Sequence, residues 1–315
     1  MTVRFPSLPG RSLGVGLDLP WGAPHGFVID ETGADAPSDR LTCFLAHHTG
    51  GMGHAFVSWQ PRSRSRLDPS DYHASWDALM ATVPDGVVPA LHHTALNLAH
   101  SDRYEREDLL AFTNALIERY GMAWVNEDLG YWSIDGKPLP YPLPPLLTDD
   151  GLAVAVDSVV QCQDGLDAPL LVEFPGFSQD WSLRLGDIDA YDFFREVVHR
   201  SDSPCTLDTG HLLSWRWLVR HRGPALLGEL ERLPLEHCFE VHLSGARIAG
   251  ERFYDTHDGG ILDEQIALLE ALLVRCPNLQ AVTFEDPHLL PDGAMDDTSA
   301  RSFARIRAAC AGWLA

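Results

Sequence analysis

Residues 169–210, PLLVEFPGFSQDWSLRLGDIDAYDFFREVVHRSDSPCTLDTG, carry two short apolar runs, 169–174 and 205–210, on either side of a segment with helical period at 187–200. Runs of this length bounded by Pro and Gly read as buried strands, and the spacing predicts a strand–helix–strand unit. Outward in both directions the unit repeats. Strand-like runs stand at 14–19 (GVGLDL), 41–48 (LTCFLAHH), 87–96 (VVPALHHTAL), 122–129 (MAWVNEDL), 238–245 (CFEVHLSG) and 279–286 (LQAVTFED). Helical segments are expected at 71–83, 104–120, 150–164, 261–275 and 298–313; that at 104–120 places Leu109, Phe112, Leu116 and Tyr120 on one face. Eight strands alternating with helices predict an α/β fold, a (β/α)8 TIM barrel, as one domain over residues 1–315. A doubly wound open sheet is the alternative, but no Gly-rich phosphate-binding turn follows the first strand.

The 315 residues are 45% apolar and 22% charged, with 23 basic against 45 acidic side chains and a formal charge of −22. That excess of carboxylates argues against a broad nucleic-acid surface, which needs clustered Lys and Arg. Cys43, Cys162, Cys205, Cys238, Cys276 and Cys310 lie far apart in apolar or helical surroundings, the pattern of buried thiols in a reducing compartment. The first residues lack the apolar core of a signal peptide, and no stretch reaches the length of a membrane span. A cytoplasmic protein with no membrane partner is expected.

In a barrel the chemistry sits at the carboxyl ends of the strands. Here those ends carry His47 and His48, His92 and His93, Glu127 and Asp128, Glu173, Asp208 with His211 three residues on, His242, Asp255 with His257 in the next loop, then Glu285 and Asp286. Any one of these is more often a solvated or hydrogen-bonded residue. As a converging set they would repel one another or stay unsatisfied unless cations held them. Mixed imidazole and carboxylate donors suit zinc, iron or manganese, and their number suits two or three ions. Asp208-Thr-Gly-His211 is expected to close a strand at Gly210, and Asp255-Thr-His257 to place both side chains on one face of an extended loop.

The order Glu127, Glu173, Asp208, His211, His242, Asp255, His257, Glu285 resembles that of the xylose-isomerase-like barrels. Within them it is most similar to the multinuclear non-heme iron-dependent oxidative enzymes, formerly a domain of unknown function, whose members include methanobactin and thiaglutamate biosynthesis enzymes. The likeness runs over roughly residues 12–290 and includes LPYPLPPLLTDDGLAVAVDSVVQCQDGLDAPLLVEFP (139–175), CFEVHLSG (238–245) and Asp255-Thr-His257. It implies iron ligation by Glu127, Glu173, Asp208, His211, His242, Asp255, His257 and Glu285, with His92 as the strand-3 histidine. Asp208, His242, Asp255 and Glu285 would hold the catalytic core, with Glu240 supporting His242. The chain departs from the family pattern at Asp128 and Phe174, where His and Asn are common, and at Asp18-Leu-Pro-Trp21, where the strand-1 histidine is missing.

The resemblance further implies two or three irons in mixed Fe(II)/Fe(III) states, O2 as co-substrate, and oxidation of a residue, most often cysteine, in a ribosomally made precursor peptide. A small separate protein that binds the leader peptide is the implied partner. Arg62 and Arg64, in the most basic stretch of the chain (58–67), are candidate contacts for an acidic peptide or its carboxyl end; the plain reading of that stretch is a solvated loop. Three other functions are compatible with such a ligand set. They are a metal-dependent phosphodiesterase of the endonuclease IV kind, a sugar isomerase or epimerase, and a non-catalytic metal-binding protein.

Overall fold

The computed structural model describes Leu8 and residues 12–19, 54–59, 68–101 (less 71–72, 74–76, 78–79, 82 and 84), 104–177 and 184–313. Its strands are β1 (Gly14–Leu19), β2 (His54–Trp59), β3 (Val88–His93), β4 (Val125–Asp128), β5 (Tyr131–Ile134), β6 (Lys137–Leu143), β7 (Leu170–Glu173), β8 (Cys205–Asp208), β9 (Cys238–Leu243), β10 (Ala246–Ala249), β11 (Arg252–Asp255) and β12 (Ala281–Phe284). Eight of them close into a barrel in the order β1-β12-β9-β8-β7-β4-β3-β2, every pair parallel. The (β/α)8 expectation holds. The helices are α1 (Tyr104–Tyr120), α2 (Asp149–Gly165), α3 (Ala190–Ser201), α4 (Thr209–Leu218), α5 (Asp263–Arg275) and α6 (Asp297–Cys310).

The sequence explains these elements locally. Thr148 starts α2 by accepting a hydrogen bond from Gly151 N, and Asp189 and Asp296 do the same for α3 and α6; each such cap stabilises by about 1 kcal/mol. Leu152, Ala155, Val156, Val159 and Cys162 form the buried stripe of α2, at the spacing a helix facing a sheet requires. Leu109, Phe112 and Leu116 of α1 are buried as expected. Cys162, Cys205, Cys238, Cys276 and Cys310 are buried free thiols. No helix among the described residues is long and apolar enough to cross a membrane.

Two expectations about strands are corrected. The second barrel strand is His54–Trp59, not 41–48; the run HAFVSW sits between glycines and Pro61 and is itself rich in strand-forming residues. Residues 41–48, with His47 and His48, lie outside the described residues. The sixth barrel strand ends at Asp208 rather than Gly210, and α4 begins at Thr209 without a turn between them.

Alternation along the strands builds the barrel interior in layers. The lowest is apolar: Ala90, Leu171, Phe239 and Ala281 from four strands pack with Trp124, the residue before β4. Above it lies a polar layer. Trp124 Nε1 donates to Glu240 Oε2 at 2.9 Å, Thr283 Oγ1 to Glu240 Oε1 at 2.5 Å, and Thr206 Oγ1 to Asn126 Oδ1 at 2.7 Å. Strands β4 and β9 are not neighbours, so the Trp124–Glu240 bond crosses the barrel. The top layer, at the carboxyl ends, holds the ionisable residues.

Candidate metal centre

Four residues from four strands meet first. His92 of β3, Glu173 of β7, His242 of β9 and Glu285, next after β12, offer ligand atoms that all lie within 4.8 Å of one another. His92 Nε2 is 3.3 Å from Glu173 Oε2, and His242 Nδ1 is 3.2 Å from the same oxygen and 2.8 Å from Glu285 Oε1. Asn126 Nδ2 also donates to Glu173 Oε2. Behind His242, Glu240 Oε1 stands 3.3 Å from Nε2. A carboxylate behind one nitrogen orients the ring and turns the other nitrogen toward the cluster, the arrangement common behind metal-bound histidines. The expected supporting place of Glu240 agrees with this contact.

A second group joins α4 to the β10–β11 hairpin. Asp208 caps α4, its Oδ1 accepting from His211 N at 2.6 Å, which puts His211 in the first turn with its ring over the barrel mouth. His211 Nδ1 donates to the Phe174 carbonyl at 2.7 Å, which turns its Nε2 toward Asp255 Oδ2 at 3.1 Å. His257 Nε2 is 3.3 Å from Asp255 Oδ1, and its Nδ1 bonds to Asp286 Oδ2 at 2.9 Å. Asp255 and His257 meet through a tight turn rather than along an extended loop. Thr256 N and His257 N both donate to Gly245 O, and His257 takes the left-handed φ of 47°. A Cβ on Gly245 would come within 2.4 Å of Asp258 N, so only glycine lets this turn fold onto the end of β9.

Between the two groups lies a carboxylate bridge. Asp128, Glu173 and His211 again have ligand atoms within 4.8 Å, with His211 Nδ1 3.5 Å from Glu173 Oε1. Because His211 Nδ1 already serves the Phe174 carbonyl, the carboxylates are the donors here. Glu173 thus gives Oε2 to the first group and Oε1 to the middle. Asp128 Oδ1 and Asp208 Oδ2 are buried with no hydrogen-bond partner among the described residues.

The electrostatics follow the same geometry. Burial raises Asp128 and Asp208 to about 7, helped for Asp128 by the Glu173 charge and for Asp208 by those of Glu285 and Glu173. Burial also opposes charge on Glu173 and Asp255, but neighbouring imidazoliums outweigh it and hold both below the ordinary carboxylate range. The same pairs raise His92 to about 10 against its burial, and lift His211, His242 and His257 well above the usual imidazole value. Protons thus stand among these carboxylates where cations could. Buried carboxyl oxygens without donors and imidazoles with one nitrogen already oriented are what a multinuclear cation site needs, and the donor set fits one.

Of the expected ligands, the structure brings together His92, Glu173, His211, His242, Asp255, His257 and Glu285, with Asp208 beside them. It does not bring Glu127. Val125 is apolar as a helix-facing residue must be, and alternation sends Glu127 outward with it while Asn126 and Asp128 point inward. Glu127 accepts hydrogen bonds from Ala95 N and Asn97 N at 3.2 Å each and faces His93 Nδ1 at 3.0 Å, outside the barrel. Asp128 is the residue of this pair that faces the cluster, and the parity set by Val125 was the signal. Arg62 and Arg64 lie outside the described residues.

Residues 71–302 match the family model of the RiPP precursor modification enzyme MbnB/TglH/ChrH. The chain belongs to this family. Among curated relatives, a UPF0276 protein of Anaeromyxobacter sp. (strain Fw109-5) is 26% identical over 238 residues, 74% of this chain and 80% of its own. A UPF0276 protein of Caulobacter vibrioides is 26% identical over 230 residues, 72% and 76% of the two chains. The MbnB/TglH/ChrH barrel also resembles solved structures. Endonuclease IV from Thermus thermophilus superposes with a TM-score of 0.54 at 14% identity, covering 95% of this chain and 99% of that one. D-psicose 3-epimerase from Clostridium cellulolyticum gives 0.55 at 13%, covering 95% and 98%. At such identities the likeness is one of fold, a xylose-isomerase-like TIM barrel.

Proposed function

We propose that this MbnB/TglH/ChrH family member is an iron- and O2-dependent oxidase that modifies a cysteine of a ribosomally made precursor peptide, helped by a small leader-binding partner protein. The observation that carries the reading is the pair of ligand groups joined through Glu173, one oxygen toward His92, His242 and Glu285 and the other toward Asp128 and His211. A carboxylate placed between two donor sets favours two ions close enough to act on one substrate.

His92, Glu173, His242 and Glu285 would hold one iron, and His211, Asp255 and His257 another, with Asp128 and Asp208 at hand to bridge or to take a third. Bound iron would supply a site for the substrate thiolate and the electrons that activate O2. The chain's own part is to orient and to shield. Asp286, Glu240 and the Phe174 carbonyl fix His257, His242 and His211, and the apolar floor shuts water out from below. Burial raises Asp128 and Asp208 to about 7 in the metal-free protein, so loading the site would release protons from them.

An isomerase or epimerase reading would favour a lysine beside the metal. The single lysine of the chain, Lys137, is exposed on the β5–β6 hairpin. A charge of −22 weighs against a phosphodiester substrate of nucleic-acid type. The deciding measurement is metal content after purification without added metal, with Mössbauer or EPR spectra before and after air. Two or three irons per chain with an oxygen-sensitive mixed-valent signal is the expected result. Stoichiometric zinc with no response to oxygen would overturn the reading in favour of hydrolysis.

A further inference from the structure

At the opposite end of the barrel a second set of donors converges. His199 lies in the last turn of α3, and Glu236 and His237 immediately precede β9. Their ligand atoms lie within 4.8 Å of one another, with His199 Nε2 3.0 Å from Glu236 Oε1 and the two imidazole rings 5.2 Å apart. These are the amino ends of the strands, so this group and the one at the barrel mouth share no residue. From it we infer a divalent-cation site of the zinc class, formed by His199, Glu236 and His237, at the base of the barrel.

The surroundings are built for it. His237 is buried, and its Nδ1 donates to the Ser203 carbonyl at 2.8 Å, which fixes the tautomer with the lone pair on Nε2. A backbone carbonyl behind one imidazole nitrogen is a common arrangement for orienting a metal-bound histidine. Glu236 is held through its backbone, whose carbonyl accepts from Asn278 Nδ2 at 2.6 Å. The site also lies at the carbonyl end of α3, whose partial negative charge favours a cation. Left-handed Asp202 (φ 51°) terminates that helix and turns the chain so that Ser203 O reaches His237. Two imidazoles and one carboxylate match zinc and its neighbours better than magnesium or calcium, and three protein ligands leave a position for water. His199 and Glu236 are partly exposed, so the ion would exchange with solvent. Its effect would be to clip the end of α3 to the start of β9, the strand that carries Glu240 and His242.

The test is a zinc titration of the metal-stripped protein against a chromophoric chelator, on the natural chain and on His199→Ala and Glu236→Gln. Both variants alter partly exposed side chains, and circular dichroism checks their fold. The natural chain is expected to bind one equivalent more than either variant, or to bind it more than about tenfold tighter. Asp255→Ala, which cuts into the barrel-mouth group, should keep the equivalent that His199→Ala loses. If the natural chain, His199→Ala and Glu236→Gln bind the same number of ions with the same affinities, the site does not exist. If only one of the two variants is too unstable to titrate, the other decides.

Discussion

His92 and His93 are adjacent, both buried, and opposite in character. His92 points into the barrel among Glu173, Glu285 and Asp128, whose charges overcome burial and raise it to about 10. His93 points outward to α1, where its Nε2 donates to Thr113 Oγ1 at 3.1 Å while that hydroxyl donates to Leu109 O. Burial, with the charge of His92 behind it, lowers His93 to about 3, and burial lifts its partner Glu127 to about 8. One proton, carried by Glu127 and donated to His93 Nδ1, satisfies that outer pair without any cation. The inner face gathers many ionised groups whose donor atoms could hold metal, and the outer face is a closed, neutral hydrogen-bonded unit. The same two residue types, one position apart, are divided by strand parity into chemistry and architecture.

The comparison would break most visibly at the inner face. Glu173→Ala or His242→Ala should abolish metal binding and activity together while the protein stays folded; a variant keeping its full metal content would place the site elsewhere. On the outer face the reverse is expected. Glu127→Ala strips a partner from His93 and from two backbone amides and should cost about 3 kcal/mol of stability through buried groups left unsatisfied, read by denaturant melting, with the metal-to-protein ratio unchanged in what folds. Loss of metal at unchanged stability would make Glu127 a ligand after all.

A third experiment uses pH. His92 has a folded value near 10 against 6.5 for its ordinary value, so its contribution in the metal-free protein is full below about 6.5 and is lost as pH rises toward 10. Thermal midpoints of metal-free protein should fall across that window, and His92→Gln should flatten the fall. Metal affinity should rise over the same window, since binding displaces the proton; an affinity that fell with pH would contradict the assignment. The smallest effect is expected from Trp124→Phe. It removes the indole donor from buried Glu240 at a cost of about 1–2 kcal/mol and should weaken metal binding only mildly, through His242.

Much of this was legible in the sequence because a parallel barrel repeats one unit and puts its ionisable residues at one end of each strand. Glu173, Asp208, His242 and Glu285 could be placed by that rule alone. Parity was harder. Glu127 and Asp128 both end β4, and only the apolar Val125 tells which of the two faces the helices. The second strand was misplaced because 41–48 was read as the strand and the equally strand-like run 54–59 was passed over, and nothing local ranks the two. His211 was found, but not its means of support. Asp208 caps α4 as well as facing the site, a double use that no spacing rule reveals.

The packed floor of Ala90, Trp124, Leu171, Phe239 and Ala281 closes the amino end of the barrel. Under the proposed function, whatever is modified would have to enter and leave at the carboxyl ends of the strands, and so would any small molecule consumed or released. Under that same function, selection among the residues of a peptide would then be a matter of reach: the side chain able to hang deepest toward the closed end would be the one to meet His242 and Asp255.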